Sequence, residues 1–218
     1  RRVLFRSAPN VFRACYTDPY QGATVAVFAT EQLAAKTAAV LYNIEDPYSE
    51  GLAVAFSEKF KALGTITDFE GYTTKDADFK AVLTKIADKD PDVIFIPDYV
   101  AKVGVILSQI EELGIEIVAL GGDGWDGIEV DYKEVAEGHY FANHYANTDT
   151  AAVVQDFIKA YQAEYGKTPN ALAALGYDST HIMAEAIKRA GDTDSAKIIA
   201  ELGKTAGDFV TGSITLDR

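Results

Sequence analysis

The chain has 218 residues, of which 48% are hydrophobic and 24% charged, an ordinary composition for one large or two small globular domains. Its formal net charge of −13 opposes binding to nucleic acid and to anionic membrane surfaces, and we expect neither as a partner. No apolar run approaches the roughly 20 residues that span a bilayer, so no direct membrane insertion is expected, and the single cysteine, Cys15, has no second cysteine for an internal disulfide.

The two ends of the chain differ from the rest. Arg1–Ser7 is basic in an acidic chain and resembles the translation of a common sequencing-library adapter, so we interpret it as a non-native leader. The chain starts without Met or a signal peptide, and Ile214–Leu216 reads as a strand that has barely begun. We therefore expect both ends to be cut.

Between Gln21 and Tyr145 the hydrophobic pattern alternates between helical and extended segments. The predicted helices are Gln21–Leu33, one capped by Ser49 and stopped by Gly64, one beginning at Asp76 or Asp78, and one running from Val100 to a stop at Gly114. The predicted strands are Thr37–Tyr42, Thr65–Phe69, Val93–Ile96, Glu116–Leu120 and His139–Tyr145. This short period predicts an α/β fold with a doubly wound parallel sheet.

After Tyr145 the pattern changes to three successive predicted helices without a strand between them. These are Thr150–Tyr165, Asn170–Ala190 and Thr193–Lys204. Their apolar faces need a partner surface that this segment does not supply. We predict a domain boundary near Ala146–Asp149 and assign the helices to a second, incomplete lobe.

The loops that follow the first four predicted strands share one chemistry. In open parallel sheets, ligands bind beyond the carboxyl ends of the strands. Each of these loops carries an acidic and an aromatic residue, and none carries a histidine, a cysteine or a phosphate-cradling lysine; the loops are residues 43–48, 70–72, 97–99 and 121–127. Carboxylates beside aromatic walls favour a small ligand that bears an ammonium group.

The fourth of these loops, Gly121–Gly127, is the most informative, because it combines four glycines, two acids and the only tryptophan. Asp123 is either a ligand-binding carboxylate or a turn residue that caps local amides. Trp125 either lines the pocket or packs as a plug over the sheet edge. For Tyr72, in the second loop, we expect a packing role.

Four stretches together resemble the branched-chain amino-acid-type solute-binding proteins of ABC transporters, which have the type I periplasmic-binding fold. They are residues 12–22 (Phe-Arg-Ala-Cys-Tyr-Thr-Asp-Pro-Tyr-Gln-Gly), 47–51, 92–99 and 121–127. The resemblance implies two doubly wound lobes joined by crossovers, with the ligand between them. On that template, residues 8–20 end lobe one and form the first crossover, 21–145 form a complete lobe two, 146–207 are helices of lobe one, and 208–218 start the return crossover. The first part of lobe one would be missing.

The resemblance also implies roles for single residues. Asp123 matches the acid that pairs with the ligand's α-ammonium, Tyr48 and Tyr99 match aromatics that face the cleft from lobe two, Tyr177 matches an aromatic of lobe one, and Asp18 lies at the hinge. A pocket role for Trp125 is our inference from the loop. The family further implies an amino-acid ligand, a membrane permease as partner, and an extracytoplasmic location, periplasmic or lipid-anchored.

Two other functions stay open at this point. One is the ligand-sensing domain of a receptor with the same fold. The other is a metal-dependent hydrolase in which Asp123 and Asp126 hold Mg²⁺ through oxygen. The sequence has no Ser-His-Asp order, no G-x-S-x-G elbow and no paired Cys and His. His139 and His144 lie five apart on one predicted strand and would face opposite sides. We therefore expect no enzyme, no catalytic residue, no cofactor and no metal site.

Overall fold

The computed structural model describes residues 10–216, so the predicted leader Arg1–Ser7 lies outside the described residues. The chain divides into two compact units. The first is the continuous stretch 17–143, here called the continuous unit. The second combines the described residues 10–16 with 144–216 and is called the discontinuous unit. That these units are two lobes of a larger protein stays a prediction.

The continuous unit is a parallel sheet with helices on both faces. Its helices are α1 (Asp18–Glu31), α2 (Pro47–Phe60), α3 (Lys80–Ala87), α4 (Val100–Glu112), α5 (Ile128–Asp131) and α6 (Lys133–Ala136). Its strands are β1 (Thr37–Asn43), β2 (Thr65–Tyr72), β3 (Val93–Phe95), β4 (Val118–Gly121) and β5 (Tyr140–Phe141). The strand order is β2-β1-β3-β4-β5, with every pairing parallel. The predicted doubly wound α/β class is confirmed.

Neighbouring strand residues build two cores, one on each face of the sheet, because successive side chains of a strand point to opposite faces. Ala39 and Leu41 of β1 belong to a core shared with α3 and α4. Ala38 and Val40 of the same strand belong to a core shared with α1 and α2. Burial on both faces explains why the strands read as continuous apolar runs rather than as alternating ones.

The discontinuous unit contains the three predicted helices and a hairpin. Its elements are α7 (Ala152–Tyr165), α8 (Ala171–Ala190), α9 (Ser195–Leu202), β6 (Ala206–Phe209) and β7 (Gly212–Thr215). β6 and β7 pair antiparallel. The buried Asp178 of α8 fixes the hairpin turn, because its carboxylate accepts hydrogen bonds from the backbone N–H groups of Val210 (3.1 Å) and Thr211 (2.8 Å). Large apolar side chains of α8 are exposed, namely Leu172, Tyr177, Met183 and Ile187.

Several predicted element bounds were wrong for identifiable reasons. α1 begins at Asp18 rather than Gln21, since Pro19 suits the first turn of a helix. α2 begins at Pro47 and is capped by Asp46, whereas Ser49 is buried and accepts the Asn43 N–H. α3 begins at Lys80, after the predicted start. β6 was missed because Ala-Gly-Asp-Phe has weak strand propensity.

The predicted strand His139–Tyr145 is reduced to Tyr140–Phe141, so the argument from strand faces does not hold for the two histidines. His139 lies before β5 and its Nδ1 accepts the Ala119 N–H at 3.1 Å. Burial lowers the pKa of His139, which keeps the imidazole neutral and able to accept. His144 lies after the strand and stacks on Tyr16, with ring centroids 3.8 Å apart.

Gly22 allows an unusually close approach of α1 to α2. A Cβ atom at this position would lie 2.8 Å from the carbonyl oxygen of Leu52 and 2.9 Å from the backbone nitrogen of Phe56. Both are backbone atoms, so the helices would have to separate. We expect Gly22→Ala to lower the free energy of unfolding by about 2 kcal/mol, measured by denaturant titration.

Gly176→Ala is the matched control, because Gly176 also lies within a helix but a Cβ there would meet nothing within 4 Å. This second substitution should raise stability by about 0.5 kcal/mol, since alanine loses less backbone entropy than glycine on folding. Equal effects of the two substitutions would contradict the close-packing argument.

Among the residues from 10 to 216, none of the helices combines the length and the apolar character needed to cross a membrane.

Candidate functional site

The carboxyl ends of β1, β3 and β4 and the start of α1 bring four polar side chains together in the continuous unit. These are Gln21, Tyr48, Tyr99 and Asp123. Three of them were predicted site residues. The rule that ligands bind beyond the carboxyl ends of parallel strands therefore located the cluster.

Asp123 lies at the centre of this cluster, in the single helical turn Asp123–Trp125 that follows β4. Its Oδ1 accepts a hydrogen bond from the Tyr48 hydroxyl at 2.7 Å and another from Gln21 Nε2 at 2.9 Å. The two donors come from α2 and α1. The carboxylate is thus oriented by side chains of two separate helices.

The glycines on either side of Asp123 permit this approach. A Cβ at Gly122 would lie 2.8 Å from the Tyr48 hydroxyl and 3.2 Å from Gln21 Oε1. A Cβ at Gly124 would lie 3.0 Å from the same hydroxyl, and the Gly124 N–H donates to it at 2.8 Å. The glycines therefore allow the loop to pack directly on the donors that hold Asp123.

Tyr48 and Tyr99 form a stacked pair beside the carboxylate, with ring centroids 5.0 Å apart and planes inclined by 25°. Burial, followed by the neighbouring Asp123, raises the pKa of Tyr48 above its ordinary value, so its hydroxyl stays protonated and donates. Tyr99 is 51% exposed and offers its ring to solvent.

Negative charge surrounds Tyr99. Its pKa is raised first by burial and then by four carboxylates, those of Asp46, Asp123, Asp98 and Asp18. Such a concentration of acidic groups at one edge of the sheet attracts a cation and repels a phosphate. The predicted hinge residue Asp18 is one of these acids, as the first residue of α1, and its hinge role stays a prediction.

Two buried residues, Asp98 and Tyr72, form a hydrogen-bonded pair that holds the backbone of Tyr99. Asp98 is 4% exposed, and its carboxylate accepts hydrogen bonds from the Tyr72 hydroxyl at 2.5 Å and from the Tyr99 N–H at 2.7 Å. Tyr72 is itself buried in the core. Its expected packing role agrees with this position, although the bond to Asp98 was not foreseen.

The structure corrects the predicted pocket role of Trp125. The side chain is 1% exposed and its Nε1 donates to the carbonyl oxygen of Ile96 at 2.9 Å. The indole lies so close to Gly121 that a Cβ there would come within 2.2 Å of it. A side chain enclosed in this way has almost no surface for a ligand, so we replace the predicted contact by a packing role.

The remaining predicted residues lie outside the cluster. Asp126 accepts a hydrogen bond from Asn143 Nδ2 at 2.8 Å. Across the described part of the chain, no group of three or more His, Cys, Asp or Glu side chains is arranged to hold a metal ion. Tyr177 belongs to the discontinuous unit, where its ring contacts Phe157 (4.8 Å) and His181 (4.3 Å). Its predicted ligand contact stays a prediction.

Gln21 is the member of the cluster that the sequence did not identify as a site residue. Its side chain is 2% exposed although glutamine is mostly a surface residue. One signal was available in the sequence. Gln21 lies in the Tyr-Gln-Gly sequence that ends residues 12–22, the first of the stretches that carry the family resemblance. A glutamine within a predicted helix gives no other sign of burial.

Comparisons with known proteins point to one family. The family model described as "Periplasmic binding protein" matches residues 6–218. Leu/Ile/Val-binding protein homolog 3 of Brucella melitensis is 29% identical over 196 residues, covering 88% of this chain and 52% of the relative. The leucine-, isoleucine-, valine-, threonine-, and alanine-binding protein of Pseudomonas aeruginosa is 26% identical over 225 residues, covering 99% and 58%. The chain spans about half of the length of these curated relatives.

Two solved structures extend the comparison to the fold. The leucine binding protein LivK of Thermotoga maritima is 35% identical, with a TM-score of 0.91 over 100% of this chain and 63% of that chain. The branched-chain amino acid transporter substrate binding protein LivJ of Streptococcus pneumoniae, solved with isoleucine, is 32% identical, with a TM-score of 0.88 and the same two coverages.

Proposed function

The chain belongs to the periplasmic binding protein family, and from this premise we propose that it is part of an extracytoplasmic solute-binding protein that captures a branched-chain amino acid for an ABC transporter. The relatives named for binding leucine, isoleucine and valine support the ligand class. The proposal includes a membrane permease as the partner that receives the ligand.

The observation that carries the proposal is the oriented carboxylate of Asp123 beside the stacked rings of Tyr48 and Tyr99. An α-ammonium that approaches the carboxylate would form a charge-assisted hydrogen bond, which is roughly twice as strong as a neutral one. The aromatic faces stabilise the same positive charge through their quadrupoles. The surrounding acids favour the approach of a cation and disfavour anionic solutes.

The site would select its ligand by charge as well as by shape. Leucine and 4-methylpentanoic acid share the branched side chain and the carboxylate, but only leucine carries the ammonium group. Binding in the micromolar range corresponds to about −8 kcal/mol. An ammonium contact at a desolvated carboxylate should account for at least about 2 kcal/mol of this binding free energy, which corresponds to about 30-fold in affinity.

Calorimetry on an extended protein tests the proposal. The extended protein is the chain lengthened, by the sequence that adjoins it, to the size of the curated relatives. We expect leucine, isoleucine or valine to bind in the micromolar range, and 4-methylpentanoic acid to bind at least about 30-fold more weakly than leucine. Equal affinity for leucine and its deaminated analogue would contradict the proposed site, and no binding of any of these amino acids would contradict the ligand class.

A further inference from the structure

We propose that Gln21 is a positioning residue for the ammonium-binding carboxylate, and that Gln21 and Tyr48 orient Asp123 without adding positive charge to it. This inference rests on the proposed function, because it assumes that Asp123 receives the ligand's ammonium. It adds a residue, Gln21, that neither the loop chemistry nor the family resemblance assigned to the site.

The geometry places both donors on one oxygen. Gln21 Nε2 lies 2.9 Å from Asp123 Oδ1 and the Tyr48 hydroxyl lies 2.7 Å from the same atom. Two donors from different helices define the direction of a carboxylate better than one, since rotation about the side chain must break at least one bond. The Gln21 side chain is 2% exposed, so its amide has little access to water as a substitute partner.

The chemical nature of the donors matters because both are neutral. A lysine or arginine at either position would form an ion pair with Asp123 and would compete with a ligand ammonium for the carboxylate. Lysines do pair with carboxylates elsewhere in the same unit: Lys89 with Asp68 at 2.6 Å, and Lys85 with Glu70 at 2.8 Å. An amide and a phenol supply orientation, and neither of them places a cation beside the carboxylate.

The packing explains why glutamine can reach this oxygen. Gly22, the next residue, lets α1 approach the backbone of α2 at a distance that no Cβ would allow. Tyr48 stands in the first turn of α2, so the close approach brings both donors to one point. On the loop side, a Cβ at Gly122 would contact both the Tyr48 hydroxyl and Gln21 Oε1. Gly22 of α1 and Gly122 of the loop therefore both permit the close packing that brings Gln21 and Tyr48 to Asp123.

The test measures the ammonium preference of the extended protein, defined as the ratio of the dissociation constant for 4-methylpentanoic acid to that for leucine. Gln21→Met has similar length and no donor. We expect it to lower the preference by about tenfold, because the carboxylate loses one of the two donors that orient it toward the ammonium. If Gln21 served only in packing, Gln21→Met would weaken the binding of both compounds equally and leave the ratio unchanged. That result would overturn the proposal.

Two further variants complete the experiment. Gln21→Asn keeps a polar amide for folding but is one methylene too short to reach Oδ1, and it should also lower the preference. Val25→Ala removes packing one turn further along α1, where the side chain is 5% exposed and belongs to the core, and it should leave the ratio as in the wild type. If Gln21→Asn keeps the wild-type ratio, or if Val25→Ala lowers it as much, the proposal fails. A wild-type protein that shows no ammonium preference would instead refute the proposed function.

Discussion

Asp123→Asn in the extended protein is expected to weaken leucine binding by at least about 30-fold, while the affinity for 4-methylpentanoic acid changes little. Asparagine has the shape of aspartate and keeps an oxygen that can accept from Tyr48 and Gln21, so the loop should hold its position. What is lost is the negative charge that pairs with the ammonium. Calorimetric titration with the two compounds measures the effect.

Asp131→Asn is the control for net charge. Asp131 is exposed at the end of α5 and the substitution removes one negative charge from the same unit. It should leave the leucine affinity within about threefold, since the interactions of a solvent-exposed charge are weakened by water and by salt. Wild-type leucine binding by Asp123→Asn would remove this residue from the site, and an equal loss in both variants would point to overall charge instead.

Trp125→Ala is expected to lower the free energy of unfolding of the continuous unit by about 4 kcal/mol. The indole is 1% exposed, packs in the core shared by α3 and α4, and donates to the Ile96 carbonyl. Removing it leaves a cavity beside Gly121 and an acceptor without its donor. Denaturant titration followed by circular dichroism measures the change.

Tyr99→Ala provides the comparison, because Tyr99 is also an aromatic of a strand-end loop but is 51% exposed. Its removal should cost less than about 1 kcal/mol of stability. If Trp125→Ala left stability as in the wild type, the packing role of the tryptophan would be contradicted. The predicted role of Trp125 in the ligand pocket would then have to be considered again.

The parts of the fold that could be predicted depend on local patterns. Buried parallel strands leave uninterrupted apolar runs such as residues 38–41, and helices leave apolar positions three and four apart. Because the strands were predicted to be parallel, the loops after β1, β3 and β4 were expected at one edge of the sheet. The meeting of Tyr48, Tyr99 and Asp123 follows from that rule.

What could not be predicted depends on distances between separate segments. A glycine-rich loop suggests exposure, yet the indole of Trp125 folds back across Gly121 because that glycine has no side chain. The burial of Gln21 arises from the close approach of α1 to α2, which depends on Gly22 and on the backbone of a helix 30 residues away in sequence. Neither contact leaves a periodic signal in the chain.

The continuity of residues 17–143 has a consequence for biosynthesis. Gln21, Tyr48, Tyr99 and Asp123 all lie within one uninterrupted stretch, whereas the other unit must join residues 10–16 to residues 144–216. The amino end of a chain emerges first from the ribosome, and domains generally fold as units. The sheet that carries the acidic edge can therefore be completed while the later helices are still being translated. The segment 10–16 completes its unit only after residues 144–216, which belong to the same unit, have been synthesised.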